Sequence, residues 1–574
     1  MGAPRSSLSL VFAGSGGSGA MTAGALFLRA AANAGYFGIM TQLFGAQVRG
    51  GESAALVQVS TEPVEAQPDT YEIFFALDWE KVDQFAPEIP LSQHSVVIAD
   101  PVAGVMPASI AKSKPRLIPI TMGDTKATRL ERAMRGRHGN IFAAALAGAL
   151  IGLNQAHLAT ALDTILGRKG ADVAALNKIA LADGIAAAAN VDVDVRLEKP
   201  RVSPRWLISG NEAIALGALR GGIRFVGCYP ITPATDLVEW LAPNIKALGG
   251  TLVLAEDELA SINMVLGASY GGVPAMTVTA GPGLALMTEA IGLGVAAEIP
   301  AVVVDVMRAG PSTGIASKTE QSDLNIAIYG GHGDAPRIVM APLSIGDCIA
   351  TGEWAVYVAE SLQSPVLVLS DQMIGQARGS ISLPSRRPAV AKRRTNGVTS
   401  PAQFKRYAIA ADPVTPMPAP GAEGYEWVAE GLSHNEAGLP VSSASAHVAQ
   451  INKRAKKISQ FEPDAFWGES WGVGETAIVT FGSSVAPAVE AARRRTAAGW
   501  PTRVIGLRVL SPVPLGPLSA ALQGVRRTVV LEQNHTGQLY RHLLGQKAIP
   551  ASAESISRPG PLPFRPAEIT AHLG

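Results

Sequence analysis

Cysteine is almost missing from this chain: Cys228 and Cys348 are the only two in 574 residues. Two thiols exclude a disulfide framework and fall short of the four thiolates that hold an iron–sulfur cluster. They fit a reducing compartment, so a cytoplasmic location is expected. Charge is also scarce, with Asp, Glu, Lys and Arg making up 17% of residues and a net charge of +1. That balance gives no electrostatic basis for nucleic-acid binding, and so few charges imply that other chains cover part of the surface. Long apolar runs are lacking as well. The most apolar helical stretch, Ile141–Leu153, is short and runs into Asn154, Gln155 and His157, so no membrane span is expected. Arg5 followed by Leu8–Ala13 has the outline of a secretion signal, but its apolar core is too short and opens into a glycine loop. Gly2 and Ser6 match the permissive myristoylation pattern and nothing more.

What the chain does have is small residues and turns. It holds 60 Gly and 40 Pro with 47% hydrophobic residues, enough for sizeable cores joined by many tight loops. Its length allows three or four domains at roughly 150 residues each. From Phe225 to Asp334, apolar β-branched runs alternate with small-residue helical runs, and each run of the first kind ends in Gly, Pro, Thr or Ser. This pattern predicts consecutive strand–loop–helix units on a parallel sheet, whose ligands sit at the carboxyl ends of the strands.

Three α/β domains with doubly wound parallel sheets are expected. The first spans 1–195. It opens with strand Leu8–Ala13, the turn Gly14-Ser15-Gly16-Gly17-Ser18-Gly19 and a helix from Ala20 to Ala34. Glycines at 14, 16 and 19 fit the dinucleotide fingerprint, but that fingerprint needs an acid about 20 residues on for the ribose. The next acid here is Glu52, so the turn reads either as another anion site or as close helix–strand packing. Residues 196–206, with Lys199, Pro200 and Pro204, read as a linker. The second domain spans 207–380, and 381–474 forms a proline-punctuated arm containing Arg386, Arg387, Lys392, Arg393 and Arg394. A third α/β pattern fills 475–574 and includes Glu532-Gln533-Asn534-His535-Thr536-Gly537-Gln538.

The candidate functional residues cluster in the central stretch. Glu256, Asp257 and Glu258 precede an apolar helix, Leu259–Gly271. Three acids there suit a helix N-terminus electrostatically, yet residues two apart do not share a face, so at most one of Glu256 and Glu258 points at a ligand. Thr232 lies between Pro230 and Pro233, which fix the local dihedrals and can hold its hydroxyl rigidly. Arg308 ends strand Ala301–Met307, where a guanidinium can grip a carboxylate bidentately or form a structural ion pair. Gly310-Pro311-Ser312-Thr313-Gly314 offers N–H groups and hydroxyls to an anion, or serves as a rigid connector. Gly281-Pro282-Gly283 permits close backbone approach or starts a helix. His332 reads as a loop histidine, and Arg49 in Arg49-Gly50-Gly51-Glu52-Ser53 either binds an anion or pins a loop.

Several of these motifs, in this order, resemble the α subunit of the 2-oxoacid:ferredoxin oxidoreductases. The matching residues are Tyr229-Pro230-Ile231-Thr232-Pro233, Glu256-Asp257-Glu258, Gly281-Pro282-Gly283, Arg308, Gly310–Gly314 and Gly331-His332-Gly333-Asp334. The first 195 residues resemble the family's γ domain, and the last hundred its transketolase C-terminal domain, so the chain is similar to the fused γ-α form that acts on 2-oxoglutarate. The resemblance implies thiamine diphosphate as cofactor, CoA as co-substrate and ferredoxin as electron acceptor. It assigns Glu258 to cofactor activation and Thr232 and Arg308 to the 2-oxoacid. Tyr229, Pro230, Ile231, Thr232, Glu258, Gly281 and Pro282 then surround the cofactor, and Arg49, Ser312, Thr313 and His332 are candidates for substrate or CoA. No metal ligand is expected on this chain. Thiamine enzymes hold the diphosphate and Mg²⁺ with a Gly-Asp-Gly segment, and Gly123-Asp124 and Gly333-Asp334 both lack the second glycine. The resemblance therefore implies a β subunit carrying the Mg²⁺ site and a [4Fe-4S] cluster, in an αβ or (αβ)2 assembly. Pyruvate, a branched-chain 2-oxoacid and indolepyruvate are alternative substrates, and a non-catalytic assembly or CoA-docking role is the alternative class.

Overall fold

The computed structural model describes residues 4–45, 51–122, 138–167, 171–201, 205–384, 390–395 and 404–574. Backbone contacts divide the chain into two compact units. One comprises Met1–Ser209 with Gln376–Leu383 and Arg565–Ala567, and the other comprises Gly210–Gly375, Pro384–Phe564 and Glu568–Gly574.

The first unit is built on an eight-stranded sheet. Strands Ser7–Ser15, Ile73–Ala76, Val96–Ala99 and Arg116–Pro119 run parallel, as the sequence predicts. The rest of the sheet does not. Glu52–Ser60 pairs antiparallel with Ser7–Ser15 and with Phe37–Phe44, and Arg378–Ser382 pairs antiparallel with Phe37–Phe44 and Arg205–Ser209. The sheet is mixed because the connection from Phe44 to Glu52 is too short for a parallel crossover, which needs about a dozen residues or more. Two of the antiparallel strands lie beyond residue 195: Arg205–Ser209 overlaps the stretch expected as a linker, and Arg378–Ser382 comes from much later in the chain.

The glycine-rich turn of this unit is filled from inside. The Ser15 N–H donates to both carboxylate oxygens of Asp78 at 2.9 and 3.0 Å, and the Ser15 hydroxyl donates to Asp78 Oδ2 at 2.9 Å. The Gly16 N–H donates to the Gly51 carbonyl at 2.6 Å. A side chain on Gly14 would collide with Ser18 and Asp78, and Gly19 has φ +86° and would meet Asn140. Close packing, with an internal carboxylate already seated on the turn, accounts for these glycines.

The second unit holds two sheets. In the seven-stranded one the order is Val509–Ser511, Ile338–Met340, Pro365–Asp371, Ala301–Met307, Ala275–Thr279, Phe225–Cys228, Thr251–Leu254. All neighbours are parallel except the edge strand Val509–Ser511. Ala301–Met307 and Pro365–Asp371 are buried along their whole length, as parallel strands covered on both faces must be, which is why they read as unbroken apolar runs. The five-stranded sheet, Gly468–Trp471, Thr502–Leu507, Thr476–Thr480, Arg527–Glu532 and Glu554–Ser557, is again parallel except at the edge strand Gly468–Trp471. Both sheets bury side chains in one core that joins Met307, Leu367 and Leu369 to Val479, Phe481 and Ile505.

Strand order reverses between Phe225–Cys228 and Ala275–Thr279. Connections from the first of these lead outward to one edge and from the second toward the other, so their carboxyl-end loops part and leave a crevice. The Tyr229–Pro233 turn and the Gly281–Gly283 turn follow these two strands directly.

Candidate active site

Four consecutive strand ends deliver the expected residues to this crevice. After Thr251–Leu254 the chain bends and starts the helix Glu258–Tyr270. Asp257 caps that helix, its carboxylate accepting from the Ala260 N–H at 2.7 Å. Asp257 thus does the helix-terminus work that any of the three acids could have done. Glu256 stays exposed, and Glu258 turns inward and is 7% exposed. Its carboxylate lies against the start of the helix Gly281–Ala296: a Cβ on Gly283 would stand 2.6 Å from Glu258 Oε1 and closer still to Thr279 Oγ1. Gly283 is glycine because the Glu258 carboxylate needs its space. Among the described residues no donor hydrogen-bonds to that carboxylate.

The Tyr229–Pro233 turn is held at its far end. Asn211 Nδ2, fully buried at the start of the helix Gly210–Gly221, donates to the Pro233 carbonyl at 2.9 Å. Arg308 Nη1 donates to the Thr232 carbonyl at 2.6 Å. Tyr229 and Pro230 are exposed, and Ile231 and Thr232 are half-buried. The two residues assigned to the 2-oxoacid are therefore joined directly, through the backbone of one and the side chain of the other. Arg308 is itself buried, and its Nε reaches no partner among the described residues. A buried guanidinium with an unused N–H departs from the rule that buried polar groups are paired.

Arg308, Gly281, Pro282, Ser312 and Thr313 line one cavity of about 840 Å³, together with Glu320, Asp323, Asn534 and His535. Ser312, at φ +58°, and Thr313 are exposed at its rim. His332 is placed elsewhere. It borders a separate hollow of about 510 Å³ with Gly331, Asp334, Arg337 and Arg454. Arg49 lies outside the described residues.

Two carboxyls that the motifs do not flag complete the site. Asp305, fully buried in the strand Ala301–Met307, and Asp323, at the head of the helix Leu324–Tyr329, lie close enough for each carboxyl to act on the other. Neither Asp305 oxygen has a hydrogen-bond partner among the described residues, so burial and the neighbouring carboxyl both favour its neutral form. Burial and the Asp323 charge push Asp305 well above the usual carboxylate range. Burial raises Asp323 to about 6, against the opposing action of Asp305. Burial lowers Arg308, and the charges of Asp323, Asp305 and Glu258 oppose that shift. The Asp323 carboxylate packs on Gly281, where a Cβ would lie 2.7 Å from both of its oxygens. Each outer glycine of Gly281-Pro282-Gly283 thus makes room for one acid. A lone Asp inside an apolar strand was the sequence signal for Asp305, since a charge there demands a partner.

The family described as "Pyruvate flavodoxin/ferredoxin oxidoreductase, thiamine diP-bdg" matches residues 216–453, and "Pyruvate ferredoxin/flavodoxin oxidoreductase" matches residues 9–187. A solved 2-oxoglutarate:ferredoxin oxidoreductase from Magnetococcus marinus, with 2-oxoglutarate, coenzyme A and succinyl-CoA bound, superposes with a TM-score of 0.90 at 33% identity, covering 99% of each chain. The chain belongs to the 2-oxoacid:ferredoxin oxidoreductase family, as an alpha subunit. The KorA subunit of the 2-oxoglutarate synthase of Methanothermobacter marburgensis is 33% identical over 377 residues, which is 64% of this alpha chain and 98% of that one. The alpha subunit of a Sulfolobus 2-oxoacid:ferredoxin oxidoreductase is 26% identical over 593 residues, 92% of this chain and 91% of its own length. The family carries thiamine-dependent 2-oxoacid:ferredoxin oxidoreductase activity, and the thiamine-binding match falls on the unit that holds Glu258 and Arg308.

Proposed function

We propose that this alpha chain forms half of the active site of a 2-oxoglutarate:ferredoxin oxidoreductase. It would convert 2-oxoglutarate and CoA to succinyl-CoA and CO₂, with two electrons passed to ferredoxin and one proton released. The observation that carries the reading is the Glu258 carboxylate, buried against Gly283 at the reversal of strand order and left without a described donor. The 2-oxoglutarate choice is supported by the ligands of the Magnetococcus enzyme, which matches this chain end to end.

The residues present fit thiamine diphosphate. A buried acceptor stands over a glycine that leaves it room, and an unsatisfied guanidinium lies nearby. When bound, the coenzyme supplies the electron sink that cleavage beside a carbonyl requires and that side chains lack. Glu258 is the residue that would hold the aminopyrimidine, as a hydrogen-bond acceptor that favours its proton-accepting tautomer. Arg308, anchored on the Thr232 carbonyl, presents its remaining N–H groups to the substrate carboxylate. The Thr232 hydroxyl orients the same group. Burial around Glu258 and Arg308 keeps bulk water from competing for these hydrogen bonds.

Electron exit and the diphosphate–Mg²⁺ grip fall to a β subunit. Both cysteines here, Cys228 and Cys348, are buried free thiols, and a [4Fe-4S] cluster needs four thiolates. CoA binds as co-substrate near the Ser312–Thr313 rim or Arg49, and αβ or (αβ)2 is the expected assembly. The test is CoA-dependent viologen reduction by the co-purified complex, on 2-oxoglutarate, pyruvate, a branched-chain 2-oxoacid and indolepyruvate. Glu258→Ala should reduce activity by about a hundredfold or more while the complex still assembles. Near-normal activity would instead support a docking or assembly role, and preference for another 2-oxoacid would reassign the substrate.

A further inference from the structure

Arg308 does not meet its cavity as an isolated charge. Asp305 lies on the strand that Arg308 directly follows, and Asp323 lines the same cavity as Arg308 from the head of the next helix. Asp323 leaves its helix N-terminus uncapped by its side chain and turns to Asp305 and Gly281 instead. This is a costly place for two acids, unless their charge does something for the arginine beside them.

We propose that Asp305 and Asp323 are a positioning pair that sets how much of the Arg308 positive charge an anionic substrate meets in this cavity. The proposal rests on Arg308 binding the 2-oxoacid carboxylate. With Asp305 neutral, the two acids carry a single negative charge, which offsets the cost of burying the Arg308 guanidinium. When the pair takes up a second proton its charge is lost, and the guanidinium attracts an anion with full strength. The other charged groups here are Glu320, in the loop before Asp323 and acting on it, Glu258, which acts on Arg308, and His535, which acts on Glu320. Asp323 titrates near pH 6, so the 2-oxoacid should bind more tightly below that pH and more weakly above it.

The test is the KM for 2-oxoglutarate, measured on the co-purified complex from pH 5.5 to 8. In the wild type KM should rise through pH 6 by about tenfold or more, the least effect expected of one charge within about 10 Å at the effective dielectric of such a site. Asp305→Asn replaces an acid that burial already favours as neutral and keeps one titrating charge, so it should keep the rise. The double variant Asp305→Asn/Asp323→Asn carries no charge and should give a low KM that stays flat with pH. A double variant that retains the wild-type profile overturns the proposal. Arg308→Lys is measured alongside. If it leaves KM unchanged, the assignment of Arg308 to the substrate is what has failed. If it raises KM while the double variant behaves as wild type, only the role of the pair has failed. Should the double variant not assemble, calorimetry of 2-oxoglutarate binding to the wild-type complex at pH 6.5, in buffers of different ionisation enthalpy, decides. Proton uptake on binding supports the proposal, and its absence overturns it.

Discussion

A single carboxylate at position 258 gains its character from its neighbours. Asp257 takes the capping role and Glu256 stays in water, which leaves Glu258 free to turn inward over Gly283. The glycine is as necessary as the acid. Gly283→Ala would force Glu258 Oε1 away from a Cβ built 2.6 Å from it. A displacement of that size at a catalytic group costs on the order of a hundredfold in rate. We expect Gly283→Ala to lower kcat to about that extent, with thermal unfolding of the isolated chain shifted far less than activity. Undiminished turnover would show that the carboxylate has no fixed place to lose.

At the scale of elements, the helix Glu258–Tyr270 is apolar on nearly every face and leaves Leu259, Asn263, Met264 and Gly267 exposed. Gly267 has nothing within 4 Å of its missing side chain. Gly267→Ala should therefore stabilise the isolated chain by about 0.5–1 kcal/mol in denaturant titration, because alanine has the better helix propensity and meets no obstacle. The sequence made these strand–loop–helix units legible, since runs such as Ala301–Met307 and Pro365–Asp371 are apolar throughout and parallel strands buried on both faces must be. Motif order brought out Glu258, Thr232, Arg308 and Gly281-Pro282-Gly283, which follow four neighbouring strands on the two sides of the reversal of strand order. Other features were hidden because they depend on contacts distant in sequence. Arg378–Ser382 pairs with Phe37–Phe44, more than 300 residues away, and no local pattern announces it. Asn211 anchors the Tyr229–Pro233 turn from the start of a separate helix. Asp305 and Asp323 belong to no motif and acquire meaning only once each is seen to face the other.

On the scale of the second unit, the proline-rich arm is tied down by buried charge. Glu298 lies between Lys453 and Lys457, at 2.6 and 2.5 Å, and the Arg406 guanidinium donates to its carbonyl at 2.7 Å. All four side chains are buried, which fixes the helix Ala444–Ser459 and the segment around Arg406 to the end of the helix Gly281–Ala296. Burial alone would raise the Glu298 carboxyl, but Lys457, Lys453 and Arg406 outweigh it and hold it at about 2. The folded value lies below the unfolded one. Its stabilising contribution is therefore complete above the ordinary Glu value near 4.5 and is lost as pH falls toward about 2. Glu298→Gln, which leaves buried cations uncompensated, should cost about 3–5 kcal/mol at neutral pH, measured by urea unfolding. The same variant should flatten the acid limb of the stability curve. A variant as stable as the wild type would remove this cluster from the forces that hold the arm.

The whole account turns on Glu258 acting through a coenzyme that this chain grips at one end only. The rate at which the thiazolium C2 proton of thiamine diphosphate exchanges with deuterium, in the complex of this chain with its partner, tests that claim most directly. Exchange in the wild-type complex should run about a hundredfold to ten-thousandfold faster than in Glu258→Gln, with the coenzyme bound in both. Equal exchange rates in the two loaded complexes would contradict the account.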